Sequence, residues 1–174
     1  MTTWVALLRG VNVNGITVRS ADLRDLFDQL GFTDVRTVLA SGNVVFSSTA
    51  AAPALKTKIE KALRDRFGYD AWIVLVTRAA VAQAVEAFPF DAADASRQPY
   101  VVFASDEAVL IEILAAAPEL DPDADPVARG TGVVYWHPVK GTTVDTPFGR
   151  LLSKKTYRES TTNRNLRTLQ KIVS

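Results

Sequence analysis

Apolar positions along the chain alternate between two periods. Residues 4–8 form a short apolar run that ends at Arg9-Gly10 and gives way to a turn-prone stretch with Asn12, Asn14 and Gly15. That pattern predicts a buried strand leaving into a loop. From Ser20 the period becomes helical: Leu23, Leu26, Phe27 and Leu30 share one face, with Ser20 suited to the N-cap, Asp22 to the first turn and Gly31 to the C′ position. Two β-rich runs, 35–40 and 43–47, flank Ser41-Gly42, a pair that favours a tight hairpin because glycine accepts positive φ without steric cost. Pro53 fits the N1 position of a second helix, whose stripe of Leu55, Ile59, Ala62, Leu63 and Phe67 ends at Gly68. Residues 72–76 supply a further strand. The order β-α-β-β-α-β predicts a ferredoxin-like α+β subdomain over residues 1–78, a four-stranded sheet with two helices on one face.

The second half repeats the theme more loosely. A short helix around 81–87 leads into a corner, Phe88-Pro89-Phe90-Asp91, and a polar segment reaching Gln98, so residues 79–98 read as a helical linker and crossover. Residues 100–104 read as a strand. Ser105 is placed to cap a helix carrying Val109, Leu110, Ile113 and Leu114, and 127–129 pairs with 133–137 across Gly130-Thr131-Gly132. Residues 148–173 read as helix in two pieces broken near 160–163, with no fourth strand. The expectation is a second ferredoxin-like subdomain at 99–174, incomplete and extended by a basic helical tail.

Composition narrows the chemistry. The 174 residues include no cysteine and a single histidine, His137, which removes disulfides, thiolate zinc sites, iron–sulfur clusters, cysteine nucleophiles and multi-histidine metal sites. No metal site and no cofactor are expected. The first apolar run stops at Leu8, without a basic lead or a cleavage site, and no stretch approaches the roughly 20 apolar residues that span a bilayer. A soluble, cytoplasmic protein without a membrane partner is expected, its oligomeric state open. The formal charge of +1 conceals a segregation. Residues 86–126 hold ten acidic side chains against Arg97 alone, a formal −9, whereas 147–174 set Arg150, Lys154, Lys155, Arg158, Arg164, Arg167 and Lys171 against Glu159, a formal +6. A solvated helix face, internal pairing of the two blocks, or an anion-binding surface would each account for it.

Several motifs resemble sites, and each has a plainer reading. The stretch from Gly10 to Gly15 has the two-glycine frame of a phosphate-binding loop, but Ile16 stands where that loop needs lysine. Nucleotide hydrolysis is excluded; the glycines make tight turns, or Arg9, Asn12 and Asn14 present donors at the sheet edge. Asp121, Asp123 and Asp125 alternate as in a calcium loop, yet Pro126 replaces the required glycine and Gly132 the bidentate carboxylate. A hydrolase would have to use His137 with Ser41 or Asp145, although no nucleophile-elbow motif is present. Trp4, Trp72 and Trp136 lie in strands, where packing explains them. Base stacking on the sheet is disfavoured, since residues 42–46 offer one aromatic and the first strand's Val-Ala-Leu-Leu none. The segment Thr161-Thr162-Asn163-Arg164-Asn165-Leu166-Arg167-Thr168 opens an amphipathic helix, where it caps the helix or, with Arg164 and Arg167, forms an anion site.

These motifs also carry a resemblance. The stretches Leu7-Leu8-Arg9-Gly10-Val11-Asn12-Val13-Asn14-Gly15, Leu30-Gly31-Phe32-Thr33-Asp34-Val35-Arg36-Thr37, Ser41-Gly42-Asn43-Val44-Val45-Phe46 and Thr162-x-Arg164-Asn165-x-x-Thr168 resemble the bacterial family called domain of unknown function 1697. The resemblance implies two ferredoxin-like subdomains and no established activity. It marks the first loop, the hairpin and the start of the last helix as candidate surface. Taken with the residues themselves, this gives a protein, non-catalytic or of undetermined activity, that binds an anionic ligand, a nucleic acid or a phosphorylated metabolite, between its subdomains. The candidate ligand-binding residues are Arg9, Gly10, Asn12, Gly15, Ser41, Gly42, Asn43, Thr162, Arg164 and Asn165. The alternatives are the His137 hydrolase and a purely structural protein whose polar turns join the subdomains.

Overall fold

The first apolar run forms strand β1 (Thr2–Arg9), followed by α1 (Ser20–Gln29), β2 (Thr33–Thr37), β3 (Asn43–Ser48), α2 (Ala52–Phe67) and β4 (Trp72–Thr77). The computed structural model describes residues 1–10, 15, 17–39, 42–116 and 122–174. The four strands make an antiparallel sheet of order β2-β3-β1-β4. Ala6 and Leu8, with Val44, Phe46 and Ile73 beside them, pack in one core with Leu23, Leu26 and Phe27 of α1 and Leu55, Ile59 and Leu63 of α2. The alternate residues Val5, Leu7, Val45 and Val74 are buried as well. A strand covered on both faces needs no polar alternation, which is why β1 reads as an unbroken apolar run.

Local details depart from expectation where a neighbour decides. Ser20 is the first helical residue of α1, and Arg19 occupies the N-cap without a side-chain hydrogen bond. The helix does stop at Gly31, whose φ is 87°. Strand β2 starts two residues earlier than the apolar pattern suggests, and its pairing with β3 slips between Thr33 and Arg36, where Asp34 has φ 53°. This irregularity interrupts the ladder on an edge strand. Glu60, buried on α2, accepts from the backbone N–H of Ile73 at 3.0 Å and from Lys56 at 2.7 Å, tying helix to strand.

Contacts divide the chain into Met1–Val81 with Lys171–Ser174, unit 1, and Ala82–Gln170, unit 2. Within unit 1, Arg36 of β2 donates to the carbonyl of Ile172 at 2.5 Å and Arg78 donates to that of Val173. Both satisfy carbonyls at a helix C-terminus, where the dipole favours cations. Helices α3 (Arg78–Glu86) and α7 (Leu166–Val173) have residues in both units.

Unit 2 contains β5 (Tyr100–Ala104), α4 (Glu107–Ala115), β6 (Val127–Arg129), β7 (Val134–Trp136), α5 (Pro147–Ser153), α6 (Lys155–Arg158) and β8 (Thr161–Asn165). Its antiparallel sheet has the order β6-β7-β5-β8, the same order as the first. The expectation that the second copy is incomplete is therefore corrected. Its fourth strand is Thr161–Asn165, paired with β5 from Tyr100↔Asn165 to Ala104↔Thr161. Polar composition hid this strand from an apolar-period reading. The N-cap of α4 is Asp106, not Ser105, its carboxylate accepting from the Ala108 N–H. Val102, Leu110, Ile113, Val134, Trp136, Phe148 and Leu152 form the core.

One carboxylate organises this core. Asp125, 2% exposed, accepts from the Trp136 indole at 2.9 Å and from the Phe148 N–H at 3.1 Å, next to the Thr146 cap on Gly149. Gly149 has no alternative there, because a Cβ would lie 1.9 Å from the Thr143 carbonyl oxygen. Among the described residues no helix is long and apolar enough to cross a membrane.

Candidate functional site

The sequence-predicted residues fall into one cluster in each unit. In unit 1, Arg9 closes β1 and Gly10 follows with φ 81°; Gly15 and Gly42 also have positive φ, 77° and 81°. The Gly42 carbonyl accepts from the Leu8 N–H at 2.8 Å, which holds the hairpin against the exit of β1. Asn43 is fully buried, and its side-chain amide donates to the Val38 carbonyl at 2.8 Å while its backbone carbonyl accepts from the Val38 N–H at 2.9 Å. Asn43 thus latches the turn between β2 and β3, a structural use of a short amide. Asn12 and Ser41 lie outside the described residues.

A residue absent from the sequence reading joins this end of the sheet. Tyr69, just past the C-terminal glycine of α2, sets its ring edge 3.8 Å from where a Gly10 Cβ would stand. Its hydroxyl is buried without a hydrogen-bond partner, and burial pushes its pKa up to about 12. At neutral pH it is a neutral donor with nothing to donate to. No sequence signal marked it, since a tyrosine after Gly68 looks like ordinary packing.

In unit 2 the Thr162 to Asn165 stretch does not open a helix as expected. Thr162 and Arg164 sit within β8, opposite Phe103 and Val101, both buried. The Arg164 guanidinium donates to the Thr162 hydroxyl at 2.5 Å and to the Asn163 carbonyl at 3.1 Å. Asn165 caps α7: its Oδ1 accepts from the Arg167 N–H at 3.0 Å, and its amide donates to Gln98 at 3.0 Å. The segment turns into a strand because pairing with β5 outweighs its weak helical preference.

His137 is enclosed rather than poised. Its ring stacks on Phe90 at 5.3 Å and meets the edge of Phe88 at 5.8 Å, with Nε2 buried and unpartnered. Burial, aided by the Arg97 guanidinium, lowers its pKa below the ordinary 6.5, partly opposed by Asp94 and Asp91. Its ring makes no hydrogen bond to Asp145, which is exposed. The hydrolase pairing through Asp145 is not formed, and Ser41 lies outside the described residues. Asp125, taken from the alternating acidic stretch, is spent on Trp136 and Phe148.

The ion pairs Lys56–Glu60, Lys61–Asp65 and Arg66–Asp25 lie in unit 1. In unit 2 Arg150, Lys154, Lys155 and Arg158 are exposed.

Comparison with known proteins agrees with the fold. No curated protein matches the chain. A solved structure, that of the conserved bacterial protein SP0830 from Streptococcus pneumoniae, is similar with a TM-score of 0.80 and 23% identity, covering 99% of this chain and 97% of that one. The model of the family described as "Protein of unknown function (DUF1697)" matches residues 1–135, ending before the Thr162–Asn165 stretch. This chain belongs to the DUF1697 family.

Proposed function

We propose that this chain is a cytoplasmic, non-catalytic binding protein built of two ferredoxin-like subdomains, and that a small anionic ligand of the phosphorylated-metabolite class binds at the Arg9 end of the first sheet. The observation that carries the reading is the Tyr69 hydroxyl, buried without a partner against Gly10, beside the only arginine on β1. A buried donor left unpaired costs about 1–3 kcal/mol, and an anionic oxygen accepting from it recovers that cost. Gly10, Gly15 and Gly42 adopt backbone conformations that side chains disfavour, which suits close approach of a ligand to the main chain. Arg9 supplies the charge. Asn12 and Ser41, adjacent in sequence to these glycines, complete the proposed donor set; Asn43 supports it by holding the hairpin.

A panel of phosphorylated metabolites tested by thermal shift checks this. A ligand should raise the Tm of the wild type, the rise should vanish in Arg9→Ala and shrink in Tyr69→Phe. Without ligand, Tyr69→Phe should be neutral or stabilising, because it removes the orphaned hydroxyl. Equal ligand-induced shifts in wild type and Arg9→Ala would remove the site.

A further inference from the structure

Cations in the two units are treated differently. On α2 of unit 1, Lys56 pairs with Glu60 and Lys61 with Asp65 one helical turn on, while the exposed Lys58 and Arg64 donate to the backbone carbonyls of Leu30 and Ala71. The elements at the corresponding place in unit 2, α5 and α6, carry Arg150, Lys154, Lys155 and Arg158 within nine residues. All four are exposed, and among the described residues none makes an ion pair or side-chain hydrogen bond. The acids nearby are Glu159, exposed at the end of α6, and Glu112 of α4, which accepts from the Tyr157 hydroxyl at 3.2 Å. Unit 2 is rich in carboxylates, so the bare cations are not for want of acids in the sequence.

We propose that α5 and α6 form a docking strip for the phosphate backbone of duplex nucleic acid, bound without regard to sequence. It extends the reading of an anion-binding protein to a separate surface and does not depend on the Arg9 site. Three observations select this partner. Four exposed cations fall within nine residues of sequence, which suits a polymer of phosphates better than a single anion. Its apolar residues Phe148 and Leu152 are buried in the core of unit 2 and Leu151 packs against it, leaving nothing to insert into a lipid surface. The aromatic rings near it are committed: Phe148 lies edge-on to Trp136 at 5.1 Å, and the Tyr157 hydroxyl is bonded to Glu112, so stacking of unpaired bases has no platform. What remains is charge, and the duplex presents it at the highest density, roughly one phosphate per 1.7 Å of helix axis.

The test is fluorescence anisotropy of the full chain with a labelled duplex of arbitrary sequence, titrated at several salt concentrations. Four phosphate contacts predict a log–log salt slope of about −3.6, close to a hundredfold loss of affinity between roughly 50 and 200 mM salt. The variant Arg150→Glu/Lys154→Glu/Lys155→Glu/Arg158→Glu should lose binding with an unchanged far-UV spectrum. The paired-helix control Lys61→Glu and the variant Arg9→Ala should both bind as the wild type does, which separates failure of this strip from failure of the Arg9 site. Should the quadruple variant prove unfolded, the single variants Lys154→Ala and Lys155→Ala should each lower the salt slope by about 0.9. Unchanged binding after charge reversal, a salt slope near zero, or tighter association with phosphatidylserine vesicles than with duplex would each overturn the proposal.

Discussion

The two units share one strand order and hold themselves together by different means. Unit 1 uses a long helix: the 16 residues of α2 lay Leu55, Ile59 and Leu63 against the sheet, and its cations are engaged by carboxylates or by backbone carbonyls. Unit 2 replaces that helix by the short α5 and α6, separated at Lys154, where the backbone is extended. Seven residues and then four cannot bury an equal stripe. Fixed polar contacts make up the difference: the buried Asp125 carboxylate, the Thr146 cap and a glycine packed against a carbonyl. The lesson is that a shared topology does not imply a shared source of stability, and that a helix relieved of pairing its charges is free to present them.

Substitutions that break unit 2 more than unit 1 probe this contrast. The largest effect is expected for Gly149→Ala, whose methyl would overlap the Thr143 carbonyl; a loss of about 4 kcal/mol or more should appear in urea denaturation. Gly68→Ala at the end of α2, where a Cβ meets nothing within 4 Å but φ is 68°, should cost only about 1 kcal/mol, the strain of a left-handed alanine. Comparable losses at the two glycines would erase the distinction. Next comes Asp125→Ala, which strands the Trp136 indole and the Phe148 N–H and should cost about 2–4 kcal/mol, with a shift in tryptophan emission.

The third prediction concerns pH. In the folded state the His137 imidazole titrates below its ordinary 6.5, so the native protein holds it neutral while the unfolded chain takes up the proton first. Stability is then fully present above about pH 6.5 and falls as the pH drops through that value towards the lower folded pKa. Melting curves between roughly pH 7 and 5 should show a steeper decline in the wild type than in His137→Gln. Parallel curves would mean that the Phe88–Phe90 enclosure does not favour the neutral ring. The smallest effect belongs to the surface. Lys61→Ala should cost about 0.3–0.5 kcal/mol by removing an exposed helical pair, whereas Arg150→Ala, with no pair to lose, should change stability less than that.

Much of unit 1 was legible in the sequence, because its elements announce themselves by period and punctuation. The apolar stripes of α1 and α2, Pro53 at the start of the second helix and the left-handed Gly31 and Gly68 at the ends are all local signals. The candidate site was less legible. Arg9, Gly10 and Gly42 do gather at one end of a sheet, but Tyr69 arrives from the far side of α2, and nothing in its neighbours along the chain marks it. The charge of residues 147–174 was visible as a sum, while its division between the buried Arg164 and the exposed Arg150, Lys154, Lys155 and Arg158 was not.

By itself the sequence determined which chemistry is open to this protein and where most helices begin and end, since ligand-capable side chains and turn geometry are properties of single residues and short windows. Tertiary structure alone decided that Thr161–Asn165 is a strand and that Asp125 is a core residue. Thr-Thr-Asn-Arg-Asn has no apolar period to betray it, and becomes a strand because β5 presents an open row of backbone groups that must be paired. An aspartate between two prolines looks like solvent-exposed loop until the Trp136 indole and the first turn of α5 close around it. In both cases the deciding partner is distant in sequence, more than twenty residues from Asp125 to Phe148 and more than fifty from Ala104 to Thr161, and no local pattern carries that information.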